Sequence, residues 1–371
     1  MASSRVFIET LLTKADVRIG RNRPQDITVH DERLFDRIIR HGTLGLGEAY
    51  VDGWWDANKL DTFISTVLKA HLETAIEFNI SSVLSIAKAF VLNLQSITRA
   101  RKVGEVHYDL GNDLYEAMLD KRMVYTCGYW KDAKTLDEAQ EAKLDLVCRK
   151  IGLEKGDRVL DIGCGWGSFA KYAAERYGAS VVGITISKEQ AVLARERCQG
   201  LPVEIRVQDY RDLDETFDHI VSLGMFEHVG VKNYRTYFEV ARRCLKPDGL
   251  FLLHTIGGNV SRRTSDPWIN TYIFPGGVLP SAAQIGKASE GLFVMEDWHN
   301  FGSDYDKTLM AWFENFDAAW PKLRAKYGDR FYRMWKYYLL TCAGAFRARE
   351  TQLWQIVLSP NGIPGGYRSV R

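Results

Sequence analysis

The pattern of hydrophobic and polar positions along the chain changes near residue 104. Residues 1–103 show no alternation of strands and helices, and we predict that they are mostly helical, with a glycine-rich turn at Gly42–Gly47. Apolar residues recur at near-helical spacing between residues 60 and 103. We therefore predict a smaller, mainly helical domain over residues 1–103 and a second domain over residues 104–371.

From about residue 140 onward, short apolar runs alternate with helical patterns. Strands are predicted at 158–162, 180–184, 203–207, 219–224, 250–255 and 352–358, with 293–302 as a candidate strand and 246–249 as a turn. Helices are predicted at 168–177, 188–198, 233–245, 304–328 and 330–349. Short apolar strands that alternate with helices are typical of a mostly parallel, doubly wound sheet. The predicted fold class is therefore α/β, with a Rossmann-like sheet.

The composition indicates a folded globular protein without a strong excess of either charge. The 49 basic and 47 acidic residues leave a net charge of +2, which argues against a strongly basic nucleic-acid-binding protein. Hydrophobic residues make up 46% and charged residues 26% of the chain, as in folded globular proteins. Aromatic residues reach 12%, with ten Trp, which fits a large apolar ligand, although core packing explains the same richness.

The cysteines and the chain start indicate a compartment. None of the six cysteines forms a C-x-x-C pair or a Cys/His cluster with zinc spacing, so no metal site is predicted. The start MASSRVFIET lacks the pattern of a signal peptide. The most apolar long stretch, 75–94, contains Glu77 and Lys88 and is too polar for a spanning helix. We therefore expect a cytoplasmic protein with reduced thiols.

The motif VLDIGCGWG at 159–167 is the most informative short segment. Asp161 closes a buried strand, and Gly163, Gly165 and Gly167 form a turn into a helix whose free N–H groups can face a ligand. The spacing lacks the third glycine of the dinucleotide fingerprint, and Asp161 would repel a pyrophosphate. The motif therefore favours S-adenosylmethionine, with its ammonium group, over a nicotinamide cofactor or a plain tight turn.

The ends of the next two strands supply further candidate cofactor contacts. Thr185 stands where an acidic ribose-binding residue is often found, and Gln190 is the nearest alternative partner for the ribose hydroxyls. Asp209 is a candidate acceptor for the adenine amino group. Tyr210 is a candidate stacking partner, although ordinary core packing also explains it.

The carboxyl ends of the predicted strands are expected to meet in one crevice at an edge of the sheet. Four polar residues are expected to add acid–base chemistry to that crevice: Cys127, Glu227, His254 and Tyr305. Each has an ordinary structural explanation when taken alone. Together, a histidine, a glutamate and a tyrosine beside an apolar site form an acid–base set, or a hydrogen-bonding cage for a small oxyanion.

Cys342 is a further candidate on a predicted helix. Arg349 lies about 10 Å along that helix from Cys342, too far to lower the thiol pKa strongly. A role in lining a pocket is therefore at least as well supported as a role as a nucleophile.

The chain resembles the bacterial cyclopropane-fatty-acyl-phospholipid synthases over nearly its whole length. The related mycolic-acid cyclopropane synthases look similar from about residue 105 onward but lack a region like 1–103. The order and spacing of ten segments carry the resemblance: HYDLGNDLY at 107–115, YTCGYWKDA at 125–133, VLDIGCGWG, GITIS, QDYRDL, GMFEHVG, LLHTIG, DPWINTYIFPGG at 266–277, MEDWHNFGSDYDKTLMAW at 295–312 and CAGAFRAR at 342–349.

The resemblance implies a class I methyltransferase sheet and a reaction. The family adds a methylene from S-adenosylmethionine to the cis double bond of an unsaturated acyl chain in a phospholipid. The resulting cation loses a proton, with bound bicarbonate as the base, and closes to a cyclopropane. Family bicarbonate ligands match Cys127, Glu227, His254, Tyr305 and the backbone of Ile256. The family cysteine that has been given a catalytic role matches Cys342.

Cofactor positions of the family match three stretches and one pair of residues of this chain. They are Tyr125 and Thr126; Leu160, Asp161, Ile162, Gly163, Cys164, Gly165, Trp166, Gly167 and Ser168; Thr185, Ile186, Ser187 and Gln190; and Asp209 with Tyr210. The alkene also needs a dry apolar pocket, for which four aromatic residues are candidates and core packing is the alternative: Trp268, Tyr272, Phe274 and Trp312.

The substrate lies in a bilayer, so peripheral docking at the inner face of the membrane is expected. The apolar and partly basic segment 76–102 is the candidate docking element, with simple helical packing as the alternative. The family precedent also implies a homodimer. Three rival functions stay open at this point: a fatty-acyl methyltransferase without ring closure, a non-catalytic lipid-binding protein, and a nicotinamide oxidoreductase, which the loop spacing opposes.

Overall fold

The computed structural model describes residues 2–71 and 111–371. These residues form two units, neither of which is continuous in sequence. Unit 1 contains described residues 2–71, 264–275 and 305–351, and unit 2 contains 111–263, 276–304 and 352–371. The predicted domain boundary after residue 103 and the predicted docking segment 76–102 lie outside the described residues, so both stay predictions.

Helices and strands are numbered in chain order through the described residues. Their bounds are α1 (Ala2–Lys14), β1 (Ile27–Val29), α2 (Arg33–Val51), β2 (Trp55–Ala57), α3 (Leu60–Lys69), α4 (Asn112–Met118), α5 (Leu136–Lys150), β3 (Arg158–Ile162), α6 (Ser168–Tyr177), β4 (Ser180–Thr185), α7 (Lys188–Arg197), β5 (Val203–Val207), β6 (Phe217–Leu223), α8 (Tyr234–Cys244), β7 (Leu245–Gly258), α9 (Pro267–Tyr272), α10 (Ala282–Ser289), β8 (Val294–Asn300), α11 (Ser303–Arg347) and β9 (Thr351–Ser359). None of the helices in this part of the chain is both long and apolar enough to cross a membrane.

The glycines of α2 correct one expectation. The predicted turn at Gly42–Gly47 is wrong for most of its length, because only Gly42 leaves the helical conformation (φ 55°, ψ −132°) and α2 continues to Val51. Gly45 and Gly47 allow close packing instead. A Cβ atom at Gly47 would lie 2.5 Å from the Trp268 ring, closer than any side chain tolerates.

Aromatic side chains form much of the core of unit 1. Trp55 is fully buried, and its ring centroid lies 5.3 Å from that of Tyr50 and 5.2 Å from that of Phe63. Tyr337 on α11 packs edge-on against Trp268, with the ring centroids 4.6 Å apart. The antiparallel pair β1–β2, which the sequence analysis did not predict, presents Trp55 to this core. Edge and tilted ring contacts of this kind stabilise an apolar core beyond their buried area.

A seven-stranded sheet forms the centre of unit 2, in the order β5-β4-β3-β6-β7-β9-β8. The pairs from β5 through β7 are parallel, and β8 pairs with β9 antiparallel. The predicted turn at 246–249 lies within β7 as an irregularity, between Leu245 opposite Phe217 and Leu250 opposite His219. The other predicted strands correspond to β3–β9, and the predicted break between two C-terminal helices appears as a kink at Gly328 in α11.

Alternate residues of the central strands enter two separate clusters of buried side chains. Leu160 and Ile162 belong to one cluster, and Val159 belongs to the other. The same division separates Val182 from Val181 on β4. Both faces of the sheet are therefore covered, as expected for a doubly wound fold. Ligands of such folds bind where the carboxyl ends of the parallel strands meet, here called the carboxyl edge.

Candidate functional site

The glycine loop after β3 is shaped by its neighbours at the carboxyl edge. The N–H groups of Gly163 and Cys164 donate to the carbonyl of Ile184 at 2.9 and 3.0 Å. Gly163 has a φ of 85°, and a Cβ atom there would lie 2.8 Å from the side chain of Met225. Only glycine combines this backbone conformation with so close an approach. The loop thus brings the end of β3 against the segment that follows β6.

Asp161 lies on β3, beside Gly183 of β4 and Val221 of β6. Its side chain is 2% exposed, and its Oδ2 atom has no hydrogen-bond partner. Burial raises the pKa of the carboxyl to about 7, and the charge of Lys143 opposes that rise. A buried carboxylate oxygen without a partner is costly, so this position suits a cationic group of a ligand.

Three predicted cofactor residues at the end of β4 bond to one another. The Thr185 hydroxyl donates to Gln190 Oε1 at 3.1 Å and accepts from the Ser187 N–H at 3.2 Å. Ser187 caps α7 by accepting from the Gln190 N–H. The capped helix start fixes the Gln190 side chain against β4, at the place where doubly wound folds bind ribose.

Other predicted cofactor residues already have protein partners. Ser168 Oγ lies 2.6 Å from the carbonyl oxygen of Arg122, which joins the glycine loop to the segment 120–128. The carboxylate of Asp209 accepts two hydrogen bonds from Arg211, at 2.8 and 2.7 Å. The Tyr210 ring packs edge-on against Tyr237, with centroids 5.2 Å apart. Tyr210 therefore also contributes to packing.

An aromatic cluster stands beside the loop. The Trp166 ring lies 4.8 Å from that of Tyr115 on α4, and Tyr125 lies 5.2 Å from the same tyrosine. Trp166 Nε1 donates to Asn112 at 3.2 Å. The structure thus brings the predicted residues Tyr125 and Trp166 together through Tyr115, which the sequence analysis did not single out.

Glu227 lies on a short 3₁₀ turn after β6, at the carboxyl edge. Its Oε1 atom accepts from the Ile256 N–H at 2.6 Å, and its Oε2 atom is buried without a partner. Burial raises the pKa of this carboxyl to about 7. The carbonyl of Ile256 accepts from the Thr255 hydroxyl, so both backbone groups of Ile256 have protein partners. A contact between Ile256 and an anion stays a prediction.

His254 lies two residues before Ile256 on β7 and is completely buried. Its Nδ1 atom lies 3.3 Å from the Gln355 amide nitrogen, and its Nε2 atom has no partner. Burial and the charges of Lys143 and Lys150 hold the pKa of His254 well below its usual value. The imidazole is therefore neutral at neutral pH, with one ring nitrogen protonated.

Cys127 lies in the same unit, with its thiol 3.1 Å from the carbonyl of Gly128 and no exposed surface. Glu227 follows β6, and His254 and Ile256 lie on β7. Thr126, the chain neighbour of Cys127, lies beside Gly224 directly after β6. Glu227 and Ile256 are joined directly by the 2.6 Å hydrogen bond. The grouping of Cys127, Glu227 and His254 as one acid–base set stays a prediction.

Tyr305 and Cys342 belong to unit 1, and the contacts given for them are contacts within that unit. The Tyr305 ring stacks on Phe346 at 4.5 Å between centroids and meets Trp312 edge-on at 5.9 Å. Burial and the charge of Asp266 raise the pKa of the Cys342 thiol to about 12. A thiol that holds its proton this firmly is a poor nucleophile, which favours the pocket-lining role.

A family model described as mycolic acid cyclopropane synthetase matches residues 95–356. The chain belongs to this family. Cyclopropane-fatty-acyl-phospholipid synthase of Escherichia coli K12 is 57% identical over 361 residues, covering 97% of this chain and 94% of that protein. A probable fatty acid methyltransferase of Pseudomonas putida is 40% identical over 265 residues, covering 68% of this chain and 67% of that protein.

Solved structures agree with this membership. The mycolic acid cyclopropane synthase CmaA1, complexed with SAH and CTAB, has a TM-score of 0.65 at 34% identity and covers 70% of this chain and 97% of that chain. The family resemblance, the class I methyltransferase fold and the prediction of an enzyme of the cyclopropane synthase class are thereby confirmed. Within residues 2–71 and 111–371, no cluster of three His, Cys, Asp or Glu side chains could hold a metal ion.

Two polar residues of α5 were missed by the sequence analysis of this family member. Gln140 and Lys143 are fully buried, on the same helix face as Leu136 and Val147. The sequence did indicate that both are buried. From Leu136 to Val147, the four residues of this face are spaced by four, three and four positions, which is the spacing of a buried helix face. A charged residue on such a face is normally read as a surface residue.

Proposed function

We propose that the chain transfers a methylene group from S-adenosylmethionine to the cis double bond of an unsaturated acyl chain in a phospholipid, forming a cyclopropane. One observation carries the proposal: Glu227 Oε2, just after β6, and His254 Nε2, on β7 opposite the last residue of β6, are buried polar atoms without partners. Buried polar atoms without partners are rare and mark places that a ligand completes. The membership in the cyclopropane synthase family supports the same reaction.

The residues around Asp161 fit the proposed cofactor. Its unpartnered Oδ2 atom is an acceptor for the ammonium group of the cofactor. Thr185 and Gln190 are the proposed partners for the ribose hydroxyls. S-adenosylmethionine supplies an electrophilic methyl group to the alkene. The chain's part in that step is to hold the alkene against the methyl group and to exclude water.

The second half of the reaction needs a base beside the cation. Cys127, Glu227, His254 and Tyr305, with the backbone near Ile256, are the residues proposed to hold bicarbonate, whose oxygen accepts the proton. With a pKa near 7, the Glu227 carboxyl can donate or accept a hydrogen bond at neutral pH. The neutral His254 can donate one hydrogen bond without adding a positive charge beside a developing cation.

The location of the substrate in a bilayer requires that the enzyme binds to a membrane. An acyl chain of a phospholipid lies in the bilayer, so the enzyme must dock peripherally, and we place that docking at the cytoplasmic face of the membrane. We also propose a homodimer, since two docking surfaces would raise avidity for a bilayer. The proposed docking domain, residues 1–103, and the catalytic domain, residues 104–371, keep their predicted bounds.

The experiment uses purified protein, vesicles and labelled S-adenosylmethionine. Label is expected to enter phospholipid in vesicles with monounsaturated chains and not in matched vesicles with saturated chains. Buffers stripped of carbon dioxide should slow the transfer, and added bicarbonate should restore it. Absence of labelled lipid despite tight cofactor binding would refute the substrate. A methylated product that keeps its double bond would instead indicate a fatty acid methyltransferase, like the relative from Pseudomonas putida.

A further inference from the structure

Gln355 is a polar residue in the middle of the buried strand β9. It has no exposed surface, and its chain neighbours Trp354 and Ile356 are apolar and buried as well. Burying a carboxamide costs free energy unless its polar atoms find hydrogen-bond partners. An apolar residue would fill this place in the strand at a lower cost, so the presence of Gln355 needs a reason other than packing.

The sheet brings Gln355 to the same face as His254. Strand β9 lies beside β7 in the sheet, and side chains alternate between the two faces along each strand. One cluster of buried side chains contains both Leu252 of β7 and Val357 of β9. His254 and Gln355 each lie two positions from one of these residues and therefore share that face. The Gln355 amide nitrogen lies 3.3 Å from His254 Nδ1.

The orientation of the Gln355 amide decides which of its atoms meets the histidine. As it stands, the amide nitrogen donates to Nδ1, and the amide oxygen is buried without a partner. The reverse orientation would instead leave the amide nitrogen, with its two N–H groups, buried without an acceptor. Buried N–H groups without acceptors are rarer in proteins than buried carbonyl oxygens without donors, so the donating orientation is favoured.

A hydrogen bond donated to Nδ1 determines which ring nitrogen of His254 carries a proton. A neutral imidazole has one N–H group, so a ring whose Nδ1 accepts a hydrogen bond carries its proton on Nε2. Burial holds the pKa of His254 well below its usual value, so the ring stays neutral. Nε2 is buried without a partner and is therefore a donor that a ligand atom can complete.

Other contacts hold His254 in place without selecting between its two neutral forms. The ring meets Phe301 edge-on, with the centroids 6.0 Å apart, and the His254 carbonyl accepts from the Gly224 N–H at 2.9 Å. Neither contact involves a ring nitrogen. Since Nε2 has no partner within the described part of the chain, the selection falls to Gln355.

We propose that Gln355 is a positioning residue, whose amide keeps the proton of His254 on Nε2 and so presents an N–H donor to an oxygen of an anionic ligand. The proposal rests on the proposed function, because it takes His254 as a residue that binds bicarbonate. A protonated Nε2 attracts such an oxygen, whereas the lone pair of an unprotonated Nε2 would repel it. Gln355 itself touches no reacting atom and acts through His254.

Nitrogen NMR on the full chain measures the position of this proton. Protein labelled with ¹⁵N in its histidines gives distinct signals for protonated and unprotonated ring nitrogens, and His254→Asn identifies the signals of His254 among the eight histidines. In the wild type at neutral pH, Nε2 should carry the proton and Nδ1 should not. In Gln355→Met, which removes the donor and keeps the size, the Nδ1 signal should move, because Nδ1 loses its hydrogen bond.

Gln352→Met is the matched control, because Gln352 is also buried on β9 and its amide bonds to Asn259 and Asn300 instead. The His254 signals of this variant should match those of the wild type. Turnover on phospholipid vesicles gives a second measurement. Gln355→Met should lower kcat about tenfold, as expected for the loss of one orienting hydrogen bond, and should leave the dissociation constant of S-adenosylmethionine unchanged. Gln352→Met should change neither quantity.

A proton on Nδ1 of the wild-type ring would overturn the proposal without any variant. An unmoved Nδ1 signal in Gln355→Met, an equal move in Gln352→Met, or an unchanged kcat in Gln355→Met would overturn it as well. Failure of the wild type to modify phospholipid would refute the proposed function, while the NMR signals would still report where His254 carries its proton. The two failures are therefore distinguishable.

Discussion

Replacing Asp161 with asparagine removes a carboxylate from the carboxyl edge while keeping the shape of the side chain. Its Oδ2 atom is buried without a partner, so we expect the ligand's ammonium group to complete it. A hydrogen bond between charged groups stabilises a complex by about 1.5–3 kcal/mol. Since about 1.4 kcal/mol corresponds to a tenfold change, Asp161→Asn should weaken S-adenosylmethionine about 10- to 150-fold at pH 8.

Calorimetry with two ligands isolates this contact. Methylthioadenosine carries the same nucleoside without the amino acid part, so its affinity should be the same for wild type and variant. The raised pKa of Asp161 also predicts that wild-type affinity for S-adenosylmethionine falls as the pH is lowered from 7 to 6, a range in which the ligand's amino group stays protonated, while the variant shows no such fall. Equal weakening of both ligands, or the same pH dependence in the variant, would refute the proposed contact.

A melting experiment tests whether unfolding, rather than loss of the contact, weakens binding in Asp161→Asn. The folded-state pKa of Asp161 is raised, so its contribution to stability is complete below about pH 4 and is lost as pH rises through about 7. Asparagine stays neutral at every pH. The unliganded variant should therefore melt no lower than the wild type at pH 8.

Three further predictions address other parts of the structure. Glu227→Gln should lower kcat at least about 100-fold while changing the dissociation constant of S-adenosylmethionine less than about threefold, because acid–base groups act on turnover; unchanged turnover would remove Glu227 from that set. Cys342→Ser should retain measurable turnover, because the thiol, with a pKa near 12, is neutral at working pH; complete loss in a folded variant would restore the nucleophile. Gly257→Ala should lower the free energy of unfolding by about 3 kcal/mol or more, because its Cβ would lie 2.0 Å from the Trp354 ring; a chemical denaturation midpoint equal to that of the wild type would contradict the packing seen here.

The central strands were predictable because their signals are local. Buried runs such as 158–162 combine apolar residues with a glycine loop directly after them, and the alternation with helices specifies a parallel sheet. Asp161, Gly163 and Gln190 were predicted as cofactor residues for the same reason, since each ends or follows such a run. The order of strands and helices was therefore the basis for much of the predicted cofactor site.

Features that depend on contacts between distant residues were not predictable from local patterns. Gly45 and Gly47 suggested a turn, but Gly47 is required by the Trp268 ring, more than 200 positions away. Lys143 was passed over because a charged residue is expected at the surface. Likewise, no pattern indicates that the Ile256 N–H donates to Glu227, since the two residues meet only when β7 lies beside β6.

The reaction itself is tested most directly with S-adenosylmethionine that carries a fully deuterated methyl group. The wild-type enzyme would act on vesicles of a monounsaturated phospholipid, and the fatty acids would then be released for mass and NMR analysis. We expect a product that has lost its alkene signal and gained one carbon with two of the three deuterium atoms, because ring closure expels one. Retention of all three deuterium atoms in a methyl branch would contradict cyclopropane formation.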